Sequence, residues 1–301
     1  MTTRRIDLYA KAVAVPPPVF FLSLNAMNKF SCGVAAFVFG ISVHTSAFAF
    51  ESGAASAYML DAETGEVLYE KAPTERRPTA SLSKVMTAYV VFQSLADEKV
   101  ALSDRFRVSK KAWKTGGSRM FLDLDTDVAV EDLLQGLIVQ SGNDAAVALA
   151  EGIGGTEEFF AQRMNEAAKE LGLENSHFIT PNGLDHPEHY SSTQDMAILG
   201  RELVSRFPQY YHFYSQKEYT YNNIRQPNRN PLLYRGIGVD GMKTGYTSQA
   251  GYGLIASGER DGRRVVMAMM GLPTPKARAD EGHKLIEYGL REFVNVRVGE
   301  P

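Results

Sequence analysis

Cysteine is almost missing from this 301-residue chain: Cys32 is the only one. A single thiol excludes an internal disulfide and a zinc-cysteine site. No Lys/Arg run occurs and the net charge is -3, so there is no electrostatic footprint for nucleic acid. No segment reaches the roughly 18 apolar residues of a membrane-spanning helix. Histidine is scarce, at six residues, and none falls in an H-E-x-x-H pattern. Asp185, His186 and His189, with His177 and His212 not far off, read as loop residues instead of metal ligands, so neither metal nor cofactor is expected. Repeats and low-complexity tracts are absent as well. What remains, 44% hydrophobic and 22% charged residues, is an ordinary globular composition with ample length for a core.

The first fifty residues differ from the rest. Met27-Asn28-Lys29 precedes an apolar run from Gly33 to Val43, and Ala47-Phe48-Ala49 supplies an A-x-A cleavage signal. This order of parts predicts a secretory signal over residues 27–49, with residues 1–26 upstream of the true start at Met27. Cleavage after Ala49 would remove Cys32 and a net +3 (Arg4, Arg5, Lys11 and Lys29 against Asp7), leaving about -6 and no thiol. The product is expected to be an exported domain without a transmembrane anchor.

Two hairpins bracket the remainder. Ala55–Leu60 and Glu66–Glu70 flank Asp61–Gly65, and Gly251–Ser257 and Arg264–Met270 flank Gly258–Gly262. Between them lie helical stretches: Pro78 to about Ala96, apolar nearly all round; Val130–Gln140; Asp144–Glu151; and others opened by Thr156 and Ser192. Residues 103–180 read as largely helical, and Lys276–Phe293 as the closing helix. The expected fold is α+β: an antiparallel sheet built from N- and C-terminal strands, flanked by helices, with a helical insert. A site belongs in the cleft between sheet and insert.

Three short motifs carry chemistry. Ser81-Leu82-Ser83-Lys84 puts a hydroxyl and an amine on one helical face at a helix N-terminus, a nucleophile with its base. Ser141-Gly142-Asn143 sets a hydroxyl and an amide in the turn after a helix. Lys243-Thr244-Gly245 offers a cation, a hydroxyl and a bare backbone on a strand edge. Each is cheap alone: Ser23-Leu24-Asn25 and Lys114-Thr115-Gly116 are decoys in the same chain. Ordered together, as helix start, helix end and strand, they are specific.

With these motifs, Asp195-Met196-Ala197, Asn228-Arg229-Asn230 and Val239-Asp240-Gly241-Met242, the chain resembles the serine D-alanyl-D-alanine carboxypeptidases, the low-molecular-mass penicillin-binding proteins, from about Ala54 to Arg291. The resemblance implies a β-lactamase/transpeptidase-like fold and a peptidase domain over residues 50–293. It also implies that Ser81 attacks the D-Ala–D-Ala carbonyl with Lys84 as base, and that Ser141 passes the proton to the leaving amine. Asn143 would hold the substrate peptide, Lys243 would add positive charge, and Thr244 with Arg229 would bind the terminal carboxylate. Gly245 lets groups approach the strand, and the backbone N–H groups of Ser81 and Tyr246 would form the oxyanion hole. The implied partners are peptidoglycan stem peptides and β-lactam antibiotics, and the implied location is the periplasm or cell-wall space.

Two departures stand out. Tyr246 replaces a histidine common in close relatives, and tyrosine there resembles D,D-endopeptidases, which cut cross-links. Residues 294–301 look like the start of the C-terminal domain that longer relatives carry, as expected of a truncated chain or a short soluble form. A β-lactamase reading shares the motifs but needs an E-x-x-L-N loop, which does not occur; Glu166 instead reads as an exposed helical carboxylate.

Overall fold

The computed structural model describes residues 10–14 and 50–297; the signal segment expected at 27–49 lies outside the described residues. Five strands form the central antiparallel sheet: β1 (Ser56–Asp61), β2 (Val67–Lys71), β3 (Val239–Thr247), β4 (Gly251–Arg260) and β5 (Arg263–Leu272). Their order is β2-β1-β5-β4-β3, so the N-terminal hairpin joins the C-terminal strands through β1 and β5, with Met59 opposite Met267. This is the α+β sheet drawn from both chain ends that the two hairpins predict.

The β5 run is apolar at every position from Val265 to Met270 because both faces are covered. Val266, Ala268 and Met270 join the larger core with the helical insert, whereas Val265, Met267 and Met269 pack with Leu285 and Ile286. The latter two lie on α6 (Pro275–Arg291), which Thr274 caps by accepting from Ala277 N. This helix ends before Phe293, which begins a strand (Phe293–Arg297) paired with Ala10–Ala14.

The other helices of six or more residues are α1 (Lys84–Ala96), α2 (Val130–Gln135), α3 (Asn143–Gly154), α4 (Glu157–Glu170) and α5 (Thr193–Arg206). Thr156 and Ser192 cap α4 and α5 as expected. Asp195 does not reach back to complete a capping box; its carboxylate accepts from Asn175 N and Ser176 Oγ instead. Glu166 is exposed on α4. Two expectations need correction. The Val130–Gln140 segment is α-helical only to Gln135 and continues as a π turn, Gly136–Gln140, beside Met120; a Cβ on Gly136 would lie 2.2 Å from the Met120 sulfur. Within 103–180, Arg105–Arg107 pairs with Asp127–Ala129 in a ribbon too short and too charged to show strand periodicity. A second ribbon joins Glu218–Tyr221 to Ile224–Pro227. Among the described residues, no helix is long and apolar enough to cross a membrane.

Asp61 fastens the first hairpin to the sheet. Its fully buried carboxylate accepts from Glu63 N, Thr64 N and Arg263 Nε at 3.1, 2.9 and 2.9 Å. Asp61→Ala strands the mostly buried Arg263 and should cost about 3–5 kcal/mol in urea denaturation. Lys276→Ala, on an exposed helical pair, should leave the urea midpoint nearly unchanged.

Candidate active site

Ser81 lies in a 3-10 turn, Ala80–Ser83, and not in the first turn of the α-helix; Lys84 is the first residue of α1. The correction preserves the pairing, because residues three apart eclipse one another in a 3-10 turn. Lys84 Nζ sits 2.9 Å from Ser81 Oγ.

Two further oxygens hold the same nitrogen: Asn143 Oδ1 and the Asn182 carbonyl, each at 2.7 Å. Neither can donate. An ammonium could give each of the three oxygens a proton, but a neutral amine fits equally well, and with a consequence. Its two N–H groups go to Asn143 and Asn182, and its lone pair is left facing the serine hydroxyl. Burial favours that neutral form. It brings the Lys84 pKa down to about 7, helped by the nearby Arg229 guanidinium and opposed by the Asp144 carboxylate.

Ser141 caps the π turn in the left-handed region, φ 66°, and α3 begins at Asn143. The Asn143 amide is engaged at both ends, its Nδ2 donating to Gly116 O at 2.7 Å. Asp144, buried in the first turn of α3, accepts from Met120 N, Phe121 N and Leu122 N at 2.9, 3.0 and 3.2 Å. That carboxylate fixes the loop bearing Ser118, whose Oγ accepts from Arg229 Nη1 at 2.6 Å.

Edge strand β3 closes the opposite wall. A Cβ on Gly245 would lie 3.0 Å from Thr79 O and from Leu82 Cγ, so glycine lets the strand lie directly on the turn that carries Ser81. Lys243 is buried, its Nζ donating to Thr244 O at 3.0 Å. Burial, then Lys84, Arg229 and Arg278, hold its pKa well below the usual lysine range.

Ser81, Ser141, Arg229, Thr244, Gly245 and Tyr246 line one cavity of about 500 Å³, together with Ser118, Tyr252 and Arg278. Lys84 and Lys243 bond to the lining residues Ser81 and Thr244, and Asn143 accepts from Lys84, so six of the nine sequence-predicted residues line the cavity and three adjoin it. The Tyr246 side chain is half exposed and stacks on Tyr252, with centroids 4.1 Å apart. Sequence reasoning missed Asn182, Ser118, Tyr252, Arg278 and the part played by Asp144. Asn182 acts through its carbonyl, which no residue type announces. His177, His186 and His189 form no metal cluster; among the described residues no group of three or more His, Cys, Asp or Glu is arranged to hold one.

A serine with a desolvated amine at its hydroxyl, in a cleft ringed by cations, has the parts of a serine hydrolase. A model of the D-alanyl-D-alanine carboxypeptidase family matches residues 43–274. D-alanyl-D-alanine carboxypeptidase DacA of Haemophilus influenzae is 42% identical over 279 residues, covering 91% of this chain and 70% of that protein. The structure of penicillin binding protein 5 from Haemophilus influenzae is 44% identical with TM-score 0.79, covering 80% of this chain and 72% of that one. Penicillin-Binding Protein D2 from Listeria monocytogenes, in its ampicillin bound form, is 29% identical with TM-score 0.74, covering 81% and 99%. The chain spans only 62% of the length of DacA and DacC from Escherichia coli. It belongs to the D-alanyl-D-alanine carboxypeptidase family of serine peptidases.

If Lys84 is the base for Ser81 it acts in its neutral form, so acylation of Ser81 should accelerate with pH as Lys84 loses its proton. A fluorescent penicillin should react about tenfold faster per pH unit below 6 and level off above about 8, with an inflection near the Lys84 pKa of about 7. A profile still rising at pH 10 would mean that Lys84 keeps an ordinary lysine pKa.

Proposed function

We propose that this chain is a serine D-Ala–D-Ala carboxypeptidase that trims the terminal D-alanine from peptidoglycan stem peptides. The observation that carries the reading is Lys84 Nζ at 2.9 Å from Ser81 Oγ, with both of its remaining partners obligate acceptors. Ser81 Oγ attacks the penultimate D-alanine carbonyl while its proton passes to the Lys84 lone pair. The oxyanion is met by the backbone N–H groups of Ser81 and Tyr246, donors whose individual loss typically costs about 10²–10³ in rate. Ser141 conveys a proton to the departing amine while Lys243 adds positive charge, the C–N bond breaks and D-alanine leaves. Water then attacks the ester, giving up a proton to the same relay, and the shortened peptide leaves with Ser81 restored.

The substrate's free carboxylate belongs with Arg229 and Thr244, both of which line the cavity. Lys243 is surrounded by Lys84, Arg229 and Arg278, so the pocket is richer in cations than in anions. A β-lactam offers a carboxylate and a strained amide in similar disposition, and ampicillin is bound by the Listeria neighbour. The chain is therefore read as penicillin-acylated. Carboxypeptidase is favoured over cross-link endopeptidase because the matched relatives are carboxypeptidases. Their cell-wall role fits export to the periplasm or cell-wall space, with a signal over residues 27–49 and the peptidase domain over 50–293.

The test is D-alanine release from a peptide ending in D-Ala–D-Ala, with penicillin labelling at Ser81. Ser81→Ala should abolish both; wild-type protein without label, or label persisting in Ser81→Ala, would refute the reading. Arg229→Ala should lower kcat/KM about 10- to 100-fold for the free-acid peptide, the range of a lost charged hydrogen bond. At pH 8.5, where Lys84 is neutral, it should have a much smaller effect on the C-terminally amidated one. Equal losses on both peptides would remove Arg229 from carboxylate recognition.

A further inference from the structure

His189 takes no part in the chemistry above, yet it is buried and fully hydrogen-bonded within the wall of the site. Its Nε2 lies 2.6 Å from Ser83 Oγ, and Ser83 Oγ lies 2.5 Å from Thr79 Oγ1. Its Nδ1 accepts from Ile179 N at 3.1 Å and Thr180 N at 3.3 Å. Ser83 closes the turn that holds Ser81 and immediately precedes Lys84. Thr180 lies two residues before Asn182, whose carbonyl accepts from Lys84. One imidazole thus spans the two segments that meet at the Lys84 nitrogen. From α1, Thr87 Oγ1 donates to Pro181 O at 2.5 Å and grips the same loop from the other side.

The proton inventory of this bridge is fixed. Two backbone N–H groups point at Nδ1, so Nδ1 carries the lone pair and Nε2 carries the proton. Nε2–H then donates to Ser83, and the Ser83 hydroxyl donates on to Thr79.

We propose that His189 is a positioning residue for the peptidase reaction: as its neutral Nε2–H tautomer it ties the nucleophile turn to the 179–183 loop and so fixes the Asn182 carbonyl on Lys84. This inference rests on Lys84 being the base. Protonation would put an N–H at Nδ1 against the two backbone donors. Burial, then His177 and His186 of the same loop and Lys84 from α1, oppose that charge and lower the His189 pKa to about 4. The bridge therefore stays intact across the range in which Lys84 titrates.

His189→Ala frees the loop and admits water to Lys84, while His189→Gln can both accept and donate across the same gap. The second-order rate of penicillin acylation is measured against pH for wild type and both variants, corrected for the folded fraction. His189→Ala should be slower by about 10²-fold, the scale of a small misplacement in a reacting pair. Its inflection should move above 7, towards the ordinary lysine value, and His189→Gln should restore both. A folded His189→Ala that keeps the wild-type inflection, or a folded His189→Gln no better than alanine, overturns the proposal. Long-range ¹H–¹⁵N spectra of wild type supply an arm that needs no variant. They should show an Nε2–H tautomer for His189 without titration between pH 5 and 8, and an Nδ1–H tautomer or a midpoint near 6.5 overturns the proposal. Absence of any penicillin label on wild type refutes the functional reading instead, whatever the imidazole does.

Discussion

The Lys84 ζ-nitrogen and its three oxygen partners are the contact on which the rest of the site depends. Burial disfavours the charged form of this lysine and draws its pKa down to about 7, so it gives up its proton as the pH rises through neutrality. The oxygens then dictate orientation: two amide carbonyls can take only N–H, so the lone pair turns to Ser81. Desolvation favours the neutral amine and hydrogen bonding aims its lone pair, the two properties that the proposed base requires.

Each partner is held by a different part of the chain, which explains why so much structure surrounds one amine. Asn143 is set by the turn that interrupts α2 and α3, and Asp144 beside it pins the Ser118 loop with three backbone hydrogen bonds. Asn182 comes from a loop pressed on the nucleophile turn at Gly183, where φ is +77° and a Cβ would fall 1.9 Å from Ala80 O. Gly245 allows a close approach from the sheet side, where a Cβ would lie 3.0 Å from Leu82 Cγ. The two glycines have a steric reason to be glycine, and both reasons lie in the Ala80–Ser83 turn.

The sheet was legible from alternation and turn residues, and the capping threonine and serine of α4 and α5 were legible because capping is local. The motif residues could be found for the same reason: Ser81 and Lys84, or Lys243 and Thr244, are fixed relative to one another by a turn or a strand. The start of α1 misled because 3-10 and α turns share the i, i+3 register on which the pairing rests. The π turn was invisible because Gly136–Gln140 keeps an apolar helical pattern while Met120, from a distant loop, decides its geometry. Asn182 and His189 could not be read at all. One works through its carbonyl, and the other looks like any loop histidine until the chain folds Ile179, Thr180 and Ser83 around it.

The protonation state of this one amine decides whether Ser81 has a base, and ¹⁵N NMR of the Lys84 side chain reads it without reference to any substrate. The midpoint should fall near pH 7, with a neutral amine at pH 8.5. A Lys84 that remains an ammonium at pH 9 would contradict it, because Ser81 would then have no base among its hydrogen-bond partners.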